Sequence, residues 1–455
     1  MAPLTYMELL RGNRHFRRLL GGQVVSEFGN WFNLIAVLGL VRGVTGAAPE
    51  PMAILIVLRL APFALFAPLA GALVDRWSRR AVMVWSDLIR SGFALGLLLV
   101  HTADDLWIAY ACTLGSTVLS AFFEGAKNAA MPNVVGDRGL LAGNALIFSS
   151  RFLLMAVGAA VGGEASHLFG YQAAFVINAL TFLVSAYSVW GLPEAAVRAV
   201  GEGAEAVAVA GAGPLSRVWA DMREGWSYIA SNRMVAAIIG LNVMWAMGGG
   251  ATQLVYERFG AVTFAEGGGP GGDRGVAIVQ ASVGLGLFVG MLLARRVGAK
   301  VELRNWTPAF VGWTVLAHGL LFSLAGLMPT LWLAALVIAL SRVLIGVEFA
   351  VQETLLMRLL PDRLRGRVST TDRAAEIAVM SLTGMLAGWS LTGPLTPRGL
   401  AVISGLLSAS PGLVWLLMFA SGKLSIPARA QAAAGGGGEA NEGGEARDDA
   451  LATTA

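Results

Sequence analysis

Charge is scarce in this sequence. Asp, Glu, Lys and Arg make up 14% of its 455 residues, against about a quarter in a soluble domain, and that shortfall excludes an ordinary water-exposed globule. There is one cysteine, Cys112, which rules out an intrachain disulfide and a thiolate metal cluster. The four histidines (His15, His101, His167 and His318) are scattered and suggest no metal site. Lysine occurs only at 127, 300 and 423. The Gly-rich run 266–273 lacks the Lys-Ser/Thr ending of a phosphate-binding loop. No cofactor is expected, and with no ATP site the energy for any work must come from an ion gradient.

Apolar sequence is abundant: 56% of residues are hydrophobic and the mean hydropathy is +0.66. A membrane-spanning helix needs roughly 20 mostly apolar residues. Such runs recur from residue 18 to 420 and predict twelve helices near 18–41, 52–74, 81–101, 106–126, 140–166, 170–192, 234–257, 276–296, 305–327, 330–358, 371–393 and 397–420. The polar helices that would shield a soluble core of this size are missing. No small-residue cleavage site follows the first apolar run, so helix 1 is expected to be retained. With the N-terminus placed in the cytoplasm, 24 of the 33 Lys and Arg residues fall on the cytoplasmic side. Four (Arg42, Arg258, Arg274 and Arg398) fall outside, and the rest lie within helices. This bias predicts both termini in the cytoplasm of a bacterial inner membrane. It also accounts for the pI of about 9.5 without a nucleic-acid partner.

The two halves echo each other. Asn13-Arg14, Gly21, Gln23 and Gly29 reappear 219 residues later as Asn232-Arg233, Gly240, Asn242 and Gly248. Gly71 and Arg76 fall on Gly290 and Arg295 at the same offset. The expected fold is therefore an all-α membrane protein of two pseudo-symmetric six-helix bundles, 1–192 and 233–422. The connector, 193–232, ends in a segment with Leu215, Val218, Trp219, Met222, Trp226 and Ile229 on one helical face, which reads as an amphipathic helix on the inner membrane surface. The tail, 423–455, is low in complexity and expected to be disordered.

A 6+6 arrangement of parallel halves around a central cavity resembles the major facilitator superfamily. The segment Gly71-Ala-Leu-Val-Asp75-Arg76-Trp-Ser-Arg79-Arg80 is similar to that family's loop signature between helices 2 and 3. It reads as a gating latch, in which Gly71 permits close approach. Asp75 accepts from nearby arginines and sits near a positive helix N-terminus, that of helix 11; the alternative is that Arg76, Arg79 and Arg80 only set topology. Asn13-Arg-x-Phe16, Gly22-Gln23-x-x-Ser26, Arg59-x-x-Pro62, Asp87-x-x-Arg90 and Pro361-Asp-Arg-x-Arg365-Gly366-Arg367 resemble the enterobactin-exporter-like and macrolide-efflux-like branch. In helix 5, Gly158, Gly162 and Gly163 look like the helix-packing motif of exporting members, with Ala159 where proline is usual.

Charges inside the membrane are functional candidates. Gln23, Glu27, Asn30 and Asn33 follow one another at helical spacing and share a face that would line the cavity. Glu27 is the acid on that stripe and the first candidate for proton coupling; a static hydrogen-bonded role is the alternative. Glu353, Glu348 and Glu376 come next. Arg342 and Gln352 in helix 10, Arg59 in helix 2, and Asn242, Trp245, Gln253 and Tyr256 in helix 7 are cavity candidates. Asp87 and Arg90 read as a structural pair. Polar and aromatic groups together suit a small amphiphilic solute such as a siderophore, antibiotic or drug. The predicted function is proton-coupled export by a monomer in the lipid bilayer. The runner-up is a lipid or lysolipid flippase of the same fold. A membrane-embedded enzyme is disfavoured, since His318 has no evident partner in its apolar run.

Overall fold

The structure is a computed structural model and describes residues 4–74, 77–197, 214–264 and 271–424. The described residues form helices joined by short turns, without strands. Ten stretches are long and apolar enough to cross a membrane. One of them, 138–190, is two helices, because Gly170 takes φ 76° and ψ 168°, a conformation open to glycine that ends a helix. Gly136 makes the preceding break with φ 66° and ψ 168°. The twelfth crossing, Asp362–Ser390, is less apolar because its first half carries Arg363, Arg365, Arg367, Asp372, Arg373 and Glu376.

Among the described residues the long helices number twelve: α1 (Arg14–Thr45), α2 (Pro49–Val74), α3 (Arg79–Gly96), α4 (106–135), α5 (138–169), α6 (171–190), α7 (Arg233–Arg258), α8 (Gly271–Leu303), α9 (Thr307–Ala325), α10 (Leu331–Leu359), α11 (Asp362–Ser390) and α12 (Pro397–Ala420). They match the sequence expectation in number and order. Several run further: α11 begins nine residues before the predicted 371, and α8 ends seven after 296. The apolar run marks only the buried length, while backbone hydrogen bonding continues the helix past it.

The repeated Asn-Arg pair has a physical cause. Asn13 caps α1 by accepting from the Phe16 amide at 2.9 Å, and Asn232 caps α7 by accepting from Met234 and Val235 at 3.2 Å. Further along, Gly29 lets α1 meet Asn178 and Thr181 of α6, and Gly248 lets α7 meet Ser404 and Ser408 of α12. The repeat therefore builds the same packing twice.

An even number of crossings puts the start of α1 and the end of α12 at one end of the bundle, called proximal here, and the ends of α1 and α7 at the other, distal end. Three apolar cores follow that division. One proximal core belongs to the first half and includes Phe16, Leu19, Phe123, Met131 and Val189. A second belongs to the other half and includes Ile238, Val315, Leu356 and Trp415. The distal core is shared, with Phe32, Ile35, Met52, Leu254, Phe259, Val279 and Phe322 drawn from both halves. The connector helix Pro214–Ser231 packs on α11, where Glu224 pairs with Arg367, and on the end of α10, where the Tyr228 hydroxyl donates to the Leu359 carbonyl at 3.2 Å. Trp226 is exposed and Ile229 buried, although the sequence places both on one apolar face of this helix. The side chains of Leu215, Val218, Trp219 and Met222, and residues 425–455 of the tail, lie outside the described residues.

Candidate solute pathway

The polar face of α1 looks into a cavity of about 340 Å³ enclosed mainly by first-half helices. Gln23, Glu27, Asn30, Asn33 and Arg59 all line it. Arg90, Glu124 and Arg151 join them, and Ile377 of α11 reaches in from the other half. A second volume of about 360 Å³ shares Gln23, Glu27, Glu124 and Arg151 and continues past Lys127, Asn128 and Asn144 toward the proximal end. Together they give the first half a charged lining that extends toward that end, while the first volume also reaches Leu38, Leu97 and Cys112 near the distal ends of their helices.

Most of the charges along this lining are paired. Glu27 meets Arg151 of α5 at 3.3 Å and accepts from the Trp31 indole at 3.2 Å. Glu124 holds Lys127 at 2.7 Å. Asp87 and Arg90 form the predicted pair at 3.2 Å, and Arg90 also donates to Asn30 at 3.2 Å. The Arg59 guanidinium lies 5.4 Å above the Trp31 ring and has no carboxylate contact among the described residues. Gln23 Oε1 and Asn33 Oδ1 are buried without a partner among the described residues.

The candidates of the second half make a separate cluster. Gln352 donates to Asn242 at 2.8 Å, and Asn242 donates to Asp372 at 2.9 Å. Glu376, unpartnered in the sequence reading, pairs with Arg373 at 2.9 Å. Glu348 is buried, with one carboxylate oxygen lacking a partner among the described residues, and Glu353 is partly buried. Arg342 stacks 5.5 Å from both Tyr256 and Phe322 instead of approaching Glu353. His318, without an evident partner in sequence, bonds the Ser341 hydroxyl at 2.7 Å and stands 6.3 Å from the Trp245 ring. These residues, and Gln253, do not line the first-half cavity.

Of the latch, Asp75 and Arg76 lie outside the described residues, as do the surroundings of Gly71. Arg79 donates to the Ala129 carbonyl at 2.8 Å, and Arg80 to that of Leu192 at 3.1 Å, so both tie α3 to neighbours in the same half. The helix 5 glycines serve close approach. A Cβ at Gly158 would come within 2.9 Å of the Trp31 Cβ, and one at Gly162 within 2.9 Å of the Phe32 Cα. Gly163 meets Ala277 of α8 across the halves.

Sequence reasoning missed the distal seal. Arg42 of α1 bridges to Glu257 of α7 at 3.0 Å and to Asp273 of α8. The Tyr171 hydroxyl donates to Asp273 at 2.8 Å. Arg258 pairs with Glu257 at 3.1 Å and donates to the Ala47 and Ala48 carbonyls at 2.6 and 3.0 Å. Glu257, Asp273 and Arg258 are nearly inaccessible to solvent, and Arg42 is largely so. With the shared apolar core beneath it, this cluster closes the distal end. The sequence alone reads Arg42 and Arg258 only as topology markers. Their scarcity on that side, and the adjacent Glu257-Arg258 pair, were the available signals.

Residues 19–376 match the model of the Major Facilitator Superfamily. The chain is 26% identical over 395 residues to the protein named "Putative bacilysin exporter BacE" of Bacillus subtilis, covering 84% of this chain and 89% of that one. It is 28% identical over 188 residues to the "Uncharacterized MFS-type transporter YfiS" of Bacillus subtilis (strain 168), spanning under half of that protein (44%). "Macrolide efflux protein A" of Streptococcus pyogenes is 28% identical over 28% of this chain and 31% of its own. Among solved structures, a mutant form of the peptide transporter POT superposes with a TM-score of 0.68 at 13% identity, covering 92% of this chain and 99% of that one. The nucleoside transporter NupG gives 0.67 at 14%, covering 89% of this chain and 99% of that one. At such identities the likeness concerns the fold.

Proposed function

The chain belongs to the major facilitator superfamily, and on that premise we propose that it exports a small amphiphilic organic molecule against its gradient by alternating access coupled to protons. It is a multi-pass membrane transporter and not an enzyme. One observation carries the reading: a charged first-half cavity whose lining extends toward the proximal end is paired with a buried inter-half ion cluster at the distal end. In our reading the proximal end faces the cytoplasm of a bacterial inner membrane, and solute enters there. The cargo named for BacE supports an organic solute, without fixing which one.

Glu27 is the proposed proton carrier. It stands on the cavity wall between Arg151 and Trp31, where protonation would release Arg151 and change the charge seen by a solute. Trp31 with Arg59 above it offers an apolar face beside a cation, which suits an amphiphile. Glu348, Glu353 and Glu376 remain the alternative carriers. Asp75 is retained as the proximal latch that would close when the distal cluster opens. The charged lining of the cavity disfavours the lipid-flippase reading, which calls for an apolar chamber.

The test is transport by the full chain in proteoliposomes carrying a proton gradient, with candidate amphiphiles identified from compounds retained by cells lacking the protein. Uphill movement should collapse with an uncoupler. Glu27→Gln should bind solute and pass it downhill yet fail to concentrate it, since a permanently neutral group cannot link protonation to the conformational cycle. Full accumulation by Glu27→Gln would move the carrier elsewhere. Arrest by sodium replacement, with uncoupler harmless, would overturn proton coupling.

A further inference from the structure

Away from the solute path, the proximal halves of α7 and α12 leave a groove of about 590 Å³ between them. One wall is made of small residues, Ala236, Ala237 and Gly240, and a Cβ built at Gly240 would meet open space. The other wall holds Pro411, Met418 and the buried Trp415, whose indole is fixed by donating to the Pro308 carbonyl at 2.7 Å. None of the residues lining the groove is acidic, and two are basic: Arg233 and Lys423. Arg233 is the first residue of α7, and Lys423 follows the end of α12 by three residues, so both stand at the proximal mouth. Both are exposed, and neither has an ion pair among the described residues. Their neighbours differ: Arg367 is held by Glu224, and Arg358 by Glu302 at 3.1 Å.

An apolar slot between two spanning helices, open to the bilayer and mouthed by two such cations at the level of the headgroups, matches one ubiquitous molecule. We propose that this groove binds an anionic glycerophospholipid, with an acyl chain between α7 and α12 and its phosphate between Arg233 and Lys423. The apolar lining excludes a polar solute, and the paired cations select against a zwitterionic headgroup. The 425–455 tail, which starts at the mouth, is a poorer occupant: it is rich in Gly and Ala and acidic toward its end, with no apolar run to fill the slot. The groove shares no lining residue with the solute cavity, so this inference stands apart from the export reading. It lies on the opposite stretch of α7 from Gly248–250, placing the lipid on a helix that also carries Asn242 of the polar cluster.

The experiment is thermal unfolding of the purified full chain in detergent, titrated with phosphatidylglycerol or with phosphatidylcholine of the same acyl chains. Phosphatidylglycerol should raise the melting temperature saturably, and phosphatidylcholine should not. The double variant Arg233→Gln/Lys423→Gln should require about thirtyfold more phosphatidylglycerol or fail to respond. Gly240→Leu, which fills the slot and leaves every charge in place, should lose the response while keeping the parent's elution profile. Equal responses to the two lipids, or an unchanged response in either variant, would overturn the proposal. If phosphatidylglycerol acts only after residues 425–455 are removed, the tail is the occupant and the proposal is wrong.

Discussion

Arg42 holds the two halves together at the distal end, and replacing it should shift the balance between conformations with little effect on folding. Its guanidinium serves two carboxylates that are almost fully buried, Glu257 and Asp273. Removing one partner of a buried ion pair typically costs about 3–5 kcal/mol, because the other charge is left uncompensated. Here the loss is softened: Glu257 keeps Arg258 at 3.1 Å, and Asp273 keeps the Tyr171 hydroxyl at 2.8 Å. We therefore expect Arg42→Met to cost the distal-closed state about 2 kcal/mol, a shift of roughly thirtyfold in the equilibrium. Each half retains its own proximal core, so the cost falls on the contact between halves. Spin labels at Gly43→Cys and Val262→Cys, both exposed distal positions on opposite halves, would report it in a Cys112→Ser background. Electron–electron distance measurements should show a longer, broader population in Arg42→Met than in the parent. Adding Asp273→Asn should cost less than the two single changes summed, because they remove one shared interaction. Identical distance distributions for parent and Arg42→Met would refute the assignment of this cluster as a gate.

Two further outcomes are expected. Reporter fusions at residues 45 and 270 should read as outside the cell and fusions at 205 and 430 as cytoplasmic; an outside reading at 205 contradicts the twelve-crossing topology. Gly162→Leu should destabilise the protein by about 1–3 kcal/mol through overpacking against the Phe32 backbone, whereas Gly21→Leu, where a Cβ meets open space, should leave the melting temperature near the parent's.

Much of this architecture is legible in the chain because membrane insertion imposes long apolar runs that need no partner to be recognised. The polar stripe from Gln23 to Asn33 is equally legible: helical spacing alone puts those residues on one face, and they do line the cavity. The repeat is readable too, since Asn13 and Asn232 act within their own first turns. Partners distant in sequence are not readable. Nothing near Glu27 announces Arg151, and Asp372, which accepts from Asn242, does not stand out among the charges that open α11. The distal seal joins residues more than 200 positions apart, and its charges sit at helix ends, where a topology signal explains them just as well. The helix 7 candidates share a helix with Asn242, yet tertiary packing sends them to a different cluster from the one that receives Arg59.

The three apolar cores also differ in when they can be completed. The proximal core of the first half uses residues between Leu9 and Val197, so it can close before half of the chain has been made. The distal core draws on eleven of the twelve helices and on the 3-10 turn that extends α3, and its last members, Leu400 and Ala401, belong to α12. Throughout synthesis, the distal faces of α1 and α2 must therefore wait for partners that do not yet exist. In water such faces would associate with whatever was at hand. In a bilayer they rest against lipid tails, which are as apolar as the side chains that will replace them. For this core the membrane acts as a holding environment during biogenesis, and the last helix to insert releases the chain from it.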